Sequence, residues 1–144
     1  MNKLTRQAMA GVAIALGVSS VSLAGDGKKA CALDTLDGLY IFSATGYNIV
    51  GGAAQPKAIT ELIRFNGDGT LTVPAATHSI NGVVARSLPG GTGTYSVDAG
   101  CTGTLAFTHG PTFDLFIPPK GDELWMIQTD QNTVFQGNVV KLSR

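Results

Sequence analysis

Charge is what this 144-residue chain has least of. Its 10 Lys+Arg and 10 Asp+Glu make up 14% of the residues, against about 25% in an average soluble domain. The two signs cancel and no basic run exists, which argues against nucleic acid or an anionic membrane surface as partner. His78 and His109 are the only histidines, and neither HxH, HExxH nor CxxC spacing occurs, so the chain carries no metal signature. A Gly-x-Ser-x-Gly elbow is also missing, which removes the commonest sign of a serine nucleophile. The Gly-rich segments do not join a strand to a helix, so no phosphate cradle and no nucleotide cofactor is implied. The longest apolar run is the eleven residues 8–18. As a helix it would reach roughly 16 Å, short of a ~30 Å hydrocarbon core.

That run has a context. Residues 1–7 contain Lys3 and Arg6 and no acid, and Ser22-Leu23-Ala24 offers small residues where a signal peptidase reads. Basic, apolar and small-residue regions in this order predict a signal peptide over 1–24, cut after Ala24. The protein is then expected to be exported, to the periplasm or the medium, with no membrane span left in the mature chain. Losing Lys3 and Arg6 leaves 8 basic against 10 acidic residues. Cys31 and Cys101 form an even pair in an exported chain, and oxidising compartments form and keep such pairs as disulfides. The bond would pin a leader, 25–35, onto a single domain, 36–144.

Turn signals punctuate that domain at Asn66-Gly67-Asp68-Gly69, Asn81-Gly82, Pro89-Gly90-Gly91, Asp98-Ala99-Gly100, His109-Gly110-Pro111, Pro118-Pro119-Lys120-Gly121 and Asp130-Gln131-Asn132. Spacings near ten residues are those of an antiparallel all-β domain. The runs between them are rich in Thr, Val, Ile, Phe and Tyr, which suit a pleated surface. They predict strands over 39–44, 58–65, 70–73, 83–87, 94–97, 102–108, 112–117, 123–129 and 133–142, with a helical turn near 30–36. Eight or nine short strands in an up-and-down meander manage their edges best by closing into a small barrel. A two-sheet β-sandwich is the alternative. Residues 46–57, which include Gly51-Gly52, read either as a Gly-rich lid or as a strand interrupted at the glycines.

Several of these segments also resemble a family. Asp37-Gly38-Leu39-Tyr40, Phe65-Asn66-Gly67-Asp68-Gly69-Thr70, Gly93-Thr94-Tyr95-Ser96-Val97, Cys101-Thr102-Gly103-Thr104-Leu105 and Gln128-Thr129-Asp130, followed by Thr133-Val134 and Gly137, are similar to a loose group of small exported bacterial proteins of uncharacterised function. The resemblance spans about 36–142. It implies a lipocalin-like (calycin-type) β-barrel and supplies no activity. Lipocalins proper open on Gly-x-Trp; here Gly38-Leu39-Tyr40 carries Tyr.

Alternation singles out one residue. Ile59, Glu61, Ile63 and Phe65 share a parity, so Glu61 falls on the more apolar face of its strand. A carboxyl there would have a raised pKa and could act as a general acid or base, or hold a ligand; placement at a barrel mouth or a pair with Arg86 is the structural alternative. Tyr40, Glu61, Arg86, Tyr95 and Trp125 are the candidate ligand contacts, and Glu61 is the one candidate catalytic group. Asn66-Gly67-Asp68-Gly69-Thr70 lacks the further acids of a calcium loop and reads as a hairpin turn. Three functions fit: a barrel binding a small apolar or amphipathic ligand, a cyclase- or isomerase-type enzyme using Glu61, and a structural or surface-interaction protein.

Overall fold

Side-chain alternation sets the inside of the molecule, and it does so in nearly every strand. Along Asp37–Val50 (β1) the positions Tyr40, Phe42 and Ala44 are buried, and along Ala53–Asn66 (β2) so are Glu61, Ile63 and Phe65. The computed structural model describes residues 30–143, so the signal peptide expected over 1–24 lies outside the described residues. The remaining strands are Thr70–Ile80 (β3), Val83–Ser87 (β4), Gly91–Tyr95 (β5), Thr102–Phe107 (β6), Thr112–Phe116 (β7), Glu123–Gln128 (β8) and Thr133–Ser143 (β9).

Apart from β4 and β5, each strand pairs antiparallel with the next along the chain, and β9 returns to β1 from Leu39↔Ser143 to Asn48↔Thr133. One sheet thus closes on itself as an all-β barrel, and the sandwich alternative falls away. β4 and β5 are successive lengths of one stave. Both pair with β3, through Ala76–Ile80 and Thr70–Val73 respectively, and the chain breaks between them at Leu88-Pro89-Gly90. The barrel therefore has eight staves, with β4 running past the ring as an edge of its own.

Residues 46–57 are not a lid. β1 continues to Val50 and β2 starts at Ala53, joined by Gly51-Gly52 with φ of 57° and 82°. Two successive positive φ values make the tight turn whose twist matches a hairpin, and glycine adopts them without steric cost. The long loop disappears because the apolar and small residues around that turn pair across it, Val50 with Ala53 and Ile49 with Ala54. Phe116, which breaks the alternation of its strand, faces outward without a bulge.

The two ends of the barrel differ. At one end a 3-10 turn, Leu33–Thr35, leads into Leu36, which is wholly buried. The Tyr95 hydroxyl faces the Leu36 and Leu33 carbonyls at 2.9 and 3.1 Å, and the Tyr40 hydroxyl donates to the Gly121 carbonyl at 2.7 Å. The disulfide Cys31–Cys101 joins this plug to the β5–β6 connection. Above it, edge-to-face aromatic pairs fill the interior: Tyr40–Phe65–Tyr95 at 5.2 and 5.0 Å, and Phe113–Phe42–Phe135 at 5.8 and 6.3 Å. Such pairs add about 0.5–1.5 kcal/mol each beyond the area they bury. An apolar interior with Thr and Asp on the outer face of β5, β6 and β7 is the reverse of a membrane barrel, whose lumen is polar.

The disulfide spans 70 residues of sequence. Chain-entropy arguments value a loop of that length at roughly 4 kcal/mol. The double variant C31S/C101S is expected to lower the unfolding free energy by that order in urea titration, with the barrel's β-sheet circular dichroism retained. An unchanged midpoint would show that the plug is held by Leu36, Tyr40 and Tyr95 alone.

Candidate functional site

β2 carries the most unusual side chain in the barrel. Glu61 pairs in register with Phe42 on β1 and Ala76 on β3, and lies between Ile59 and Ile63 on the inner face. It is 7% exposed, and it is the one buried charged residue among those described. Its Oε1 has no hydrogen-bond partner. Burial alone pushes its carboxyl up to about pH 7, since no cation or donor compensates the lost hydration. At neutral pH the group is therefore poised between acid and base. Arg86, the expected ion-pair partner, stands opposite Thr77 on the exposed β4 and does not face it.

Four residues before Glu61 on the same face of β2, Lys57 reaches across the open end of the barrel. Its Nζ donates to Gln128 Oε1 at 2.9 Å and lies 4.1 Å from the centre of the Phe135 ring. Gln128 Nε2 in turn donates to Asp130 Oδ2 at 2.8 Å. Burial lowers the Lys57 pKa, and the Asp130 charge opposes that shift. Asp130 is itself held below the usual carboxylate range, first by the Thr112 backbone N–H at 2.9 Å. A chain of polar groups thus crosses the rim, from β2 to the β8–β9 turn. Parity carried back from Glu61 places Lys57 on this face; reading 46–57 as a loop hides it.

The open space lies beside the barrel. A groove of about 870 Å³ runs from this rim along the outer surface of β2, β1, β9 and β8, lined by Tyr47, Ala58, Ile127, Val134 and Gln136 with Lys57 and Phe135 at one end. A second groove of about 650 Å³ adjoins it and is lined by Ser43, Phe116, Trp125 and Asn138. Thr45, Ile127 and Gln136 border both grooves. These three are cross-strand partners on the outer face, one step out of phase with buried Ala44, Met126 and Phe135. Glu61 lines neither groove.

The candidates read from the sequence accordingly part company. Tyr40 and Tyr95 belong to the closed end, with their hydroxyls turned to backbone carbonyls; burial pushes the Tyr40 pKa up to about 12. Glu61 is inside, Arg86 is on the exposed arm, and Trp125 alone borders a groove. His78 is half-buried opposite Ile59, and His109 is exposed in a turn at φ 59°. No group of three or more potential metal ligands exists among the described residues. Comparison with known protein families, curated proteins and solved structures returned no match.

The sign of Glu61's effect on stability follows from its raised pKa. Its carboxyl titrates at about 7 in the folded protein against a usual 4.5. Between those values the folded chain holds a proton that the unfolded chain has released, so stability is full below pH 4.5 and falls as pH rises through 7. The shift corresponds to roughly 3 kcal/mol. Urea unfolding of the native protein is expected to weaken from pH 5 to pH 8, and Glu61→Met to flatten that dependence and be the more stable protein at pH 8. Equal pH profiles for the two would show that the carboxyl is hydrated.

Proposed function

We propose that this chain is an exported binding protein that takes a small amphipathic ligand on the outside of its barrel, in the groove between the rim and β8. The groove carries the reading. Its volume of about 870 Å³ lies within the range of roughly 300–1,000 Å³ typical of ligand sites, which pair apolar walls with a few fixed polar groups. Here Tyr47, Ile127, Val134 and Phe135 supply the walls, and Lys57, Gln128 and Gln136 the polar groups. The interior, where a calycin-type barrel would be expected to hold its ligand, is occupied by the aromatic core. Export is supported by the basic, apolar and small-residue order of 1–24 and by the disulfide, a bond that oxidising compartments preserve.

Two other readings keep one observation each. An enzyme of the cyclase or isomerase type has its residue in Glu61, a carboxyl poised to transfer a proton at neutral pH; it lacks a groove that reaches that residue. A surface-interaction role has the β4 edge, where Val83, Val84 and Leu88 are exposed and the strand pairs only with β3.

Native mass spectrometry of the protein purified from its own host separates the three. A reproducible bound mass is expected, retained in Glu61→Gln and reduced at least tenfold in occupancy in Tyr47→Ala/Val134→Asp. A mass lost only in Glu61→Gln would favour the enzyme. A bare monomer overturns the binding reading, and a protein-sized adduct transfers the case to β4.

A further inference from the structure

The second groove is built differently from the first, and its chemistry names a ligand class. Its side chains stand in two cross-strand rungs. Phe116, Trp125, Asn138 and Ser43 are successive partners across β7, β8, β9 and β1 in one; Ile127, Gln136 and Thr45 follow in the other. With strands about 4.8 Å apart and alternate residues about 6.7 Å apart, the rungs cover roughly 14 by 7 Å. Both rungs read in the same order, from apolar through amide to hydroxyl. Phe116, Trp125 and Ile127 are 52%, 46% and 44% exposed, so their faces are available to solvent. Gly137, between Gln136 and Asn138, has the inward parity of Phe135 and Val139, and a side chain there would run into the Ser43 carbonyl and Ala44, so the glycine lets β9 pack closely on β1.

No ionisable side chain lines this groove. We infer that it binds a neutral carbohydrate, an inference that rests on the outer face being the ligand surface and gives that ligand its chemical class. A sugar ring offers an apolar face of C–H groups and a periphery of hydroxyls. The first stacks on Trp125 and Phe116, and the second meets the Asn138 and Gln136 amides and the Ser43 and Thr45 hydroxyls, which both donate and accept. An acyl chain would cover those four polar groups without satisfying them. An anionic ligand would find no counter-charge among the lining residues. Asn138 Nδ2 donates to Glu123 Oε1 at 3.2 Å, which orients the amide from the side. Because Thr45, Ile127 and Gln136 also border the rim groove, an oligosaccharide longer than one ring would run from Trp125 towards Tyr47.

Trp125 is the one tryptophan of the chain, so its emission reports on this groove alone. Neutral gluco-, xylo- and N-acetylglucosamine oligosaccharides, titrated against the disulfide-bonded protein, are expected to give a saturable change in that emission, with matching heat by calorimetry. Trp125→Ala and, independently, Gln136→Leu/Asn138→Leu should each weaken the calorimetric affinity at least tenfold, with unchanged circular dichroism and melting. Affinity should rise with oligosaccharide length. Absence of any response, or binding untouched by both variants, overturns the carbohydrate assignment. If a non-carbohydrate mass is still found in the rim groove, that assignment fails while the binding reading stands. A blue shift of Trp125 that tracks protein concentration, with a doubled mass, would make the face a self-association surface and likewise overturn it.

Discussion

Pairing of β9 with β1 is the constraint on which the rest of the molecule depends. Once Leu39 to Asn48 is zipped to Thr133 to Ser143, the sheet has an inside, and a one-residue slip of any stave would turn its whole apolar set outward. The ring is narrow: eight staves enclose little more than their own side chains, and here those are large. Tyr40, Phe42, Phe65, Phe113 and Phe135 interlock edge to face. Closure thus decides where function is placed. With the interior spent on packing, the surface left for recognition is the outer face, and the outer face is where both large grooves lie.

Closure also makes the two ends unequal. The N-terminal approach must cross one end to enter β1, and the chain uses that crossing as a plug, burying Leu36 and satisfying the two tyrosine hydroxyls on backbone carbonyls. Among the described residues the opposite end receives no such segment; Lys57 spans it, with a hydrogen bond to Gln128 and a contact with the face of Phe135. A disulfide, a buried aliphatic side chain and two tyrosines hold one end against one cation at the other. Local opening free energies follow buried apolar contact and backbone protection, so the rim is where the barrel gives way first, and the larger groove begins there.

How much of this is legible in the sequence depends on range. Turn residues and period-2 alternation are local, and they place part of each of the nine strands, Val83–Ser87 from end to end but only the first residues of β3, Thr70–Ile80. The pair Cys31 and Cys101 needs no geometry to be read as a disulfide once export is expected. Parity around Glu61 also puts the carboxyl on the inner face, where it is found. What escapes is relation between strands. Trp125, Asn138 and Ser43 become neighbours only through the register of β8 on β9 and of β9 on β1. The Gly51-Gly52 pair hides the outer halves of β1 and β2, because two glycines look alike in a loose lid and a tight turn until cross-strand partners are known. With those halves go Tyr47 and Lys57, and so one wall and one end of the larger groove.

Glu61 stands outside that explanation. Every other buried side chain among the described residues is apolar, and the position asks for the same: Ile59 and Ile63 flank it, Phe42 and Ala76 face it. Its carboxyl finds no donor, so it weakens the fold as soon as it ionises, and a hydrophobic residue of similar volume would not. Buried polar groups are normally paired, and the exceptions concentrate where structure yields to use. The rim directly above is the least secured part of the ring. Lys57 lies two same-face positions away along β2, yet burial alone shifts Glu61, while burial and Asp130 shift Lys57. A proton lost from Glu61 therefore leaves an uncompensated charge in a low dielectric, and its cost falls on the packed interior around Phe42, Ile59 and Ile63.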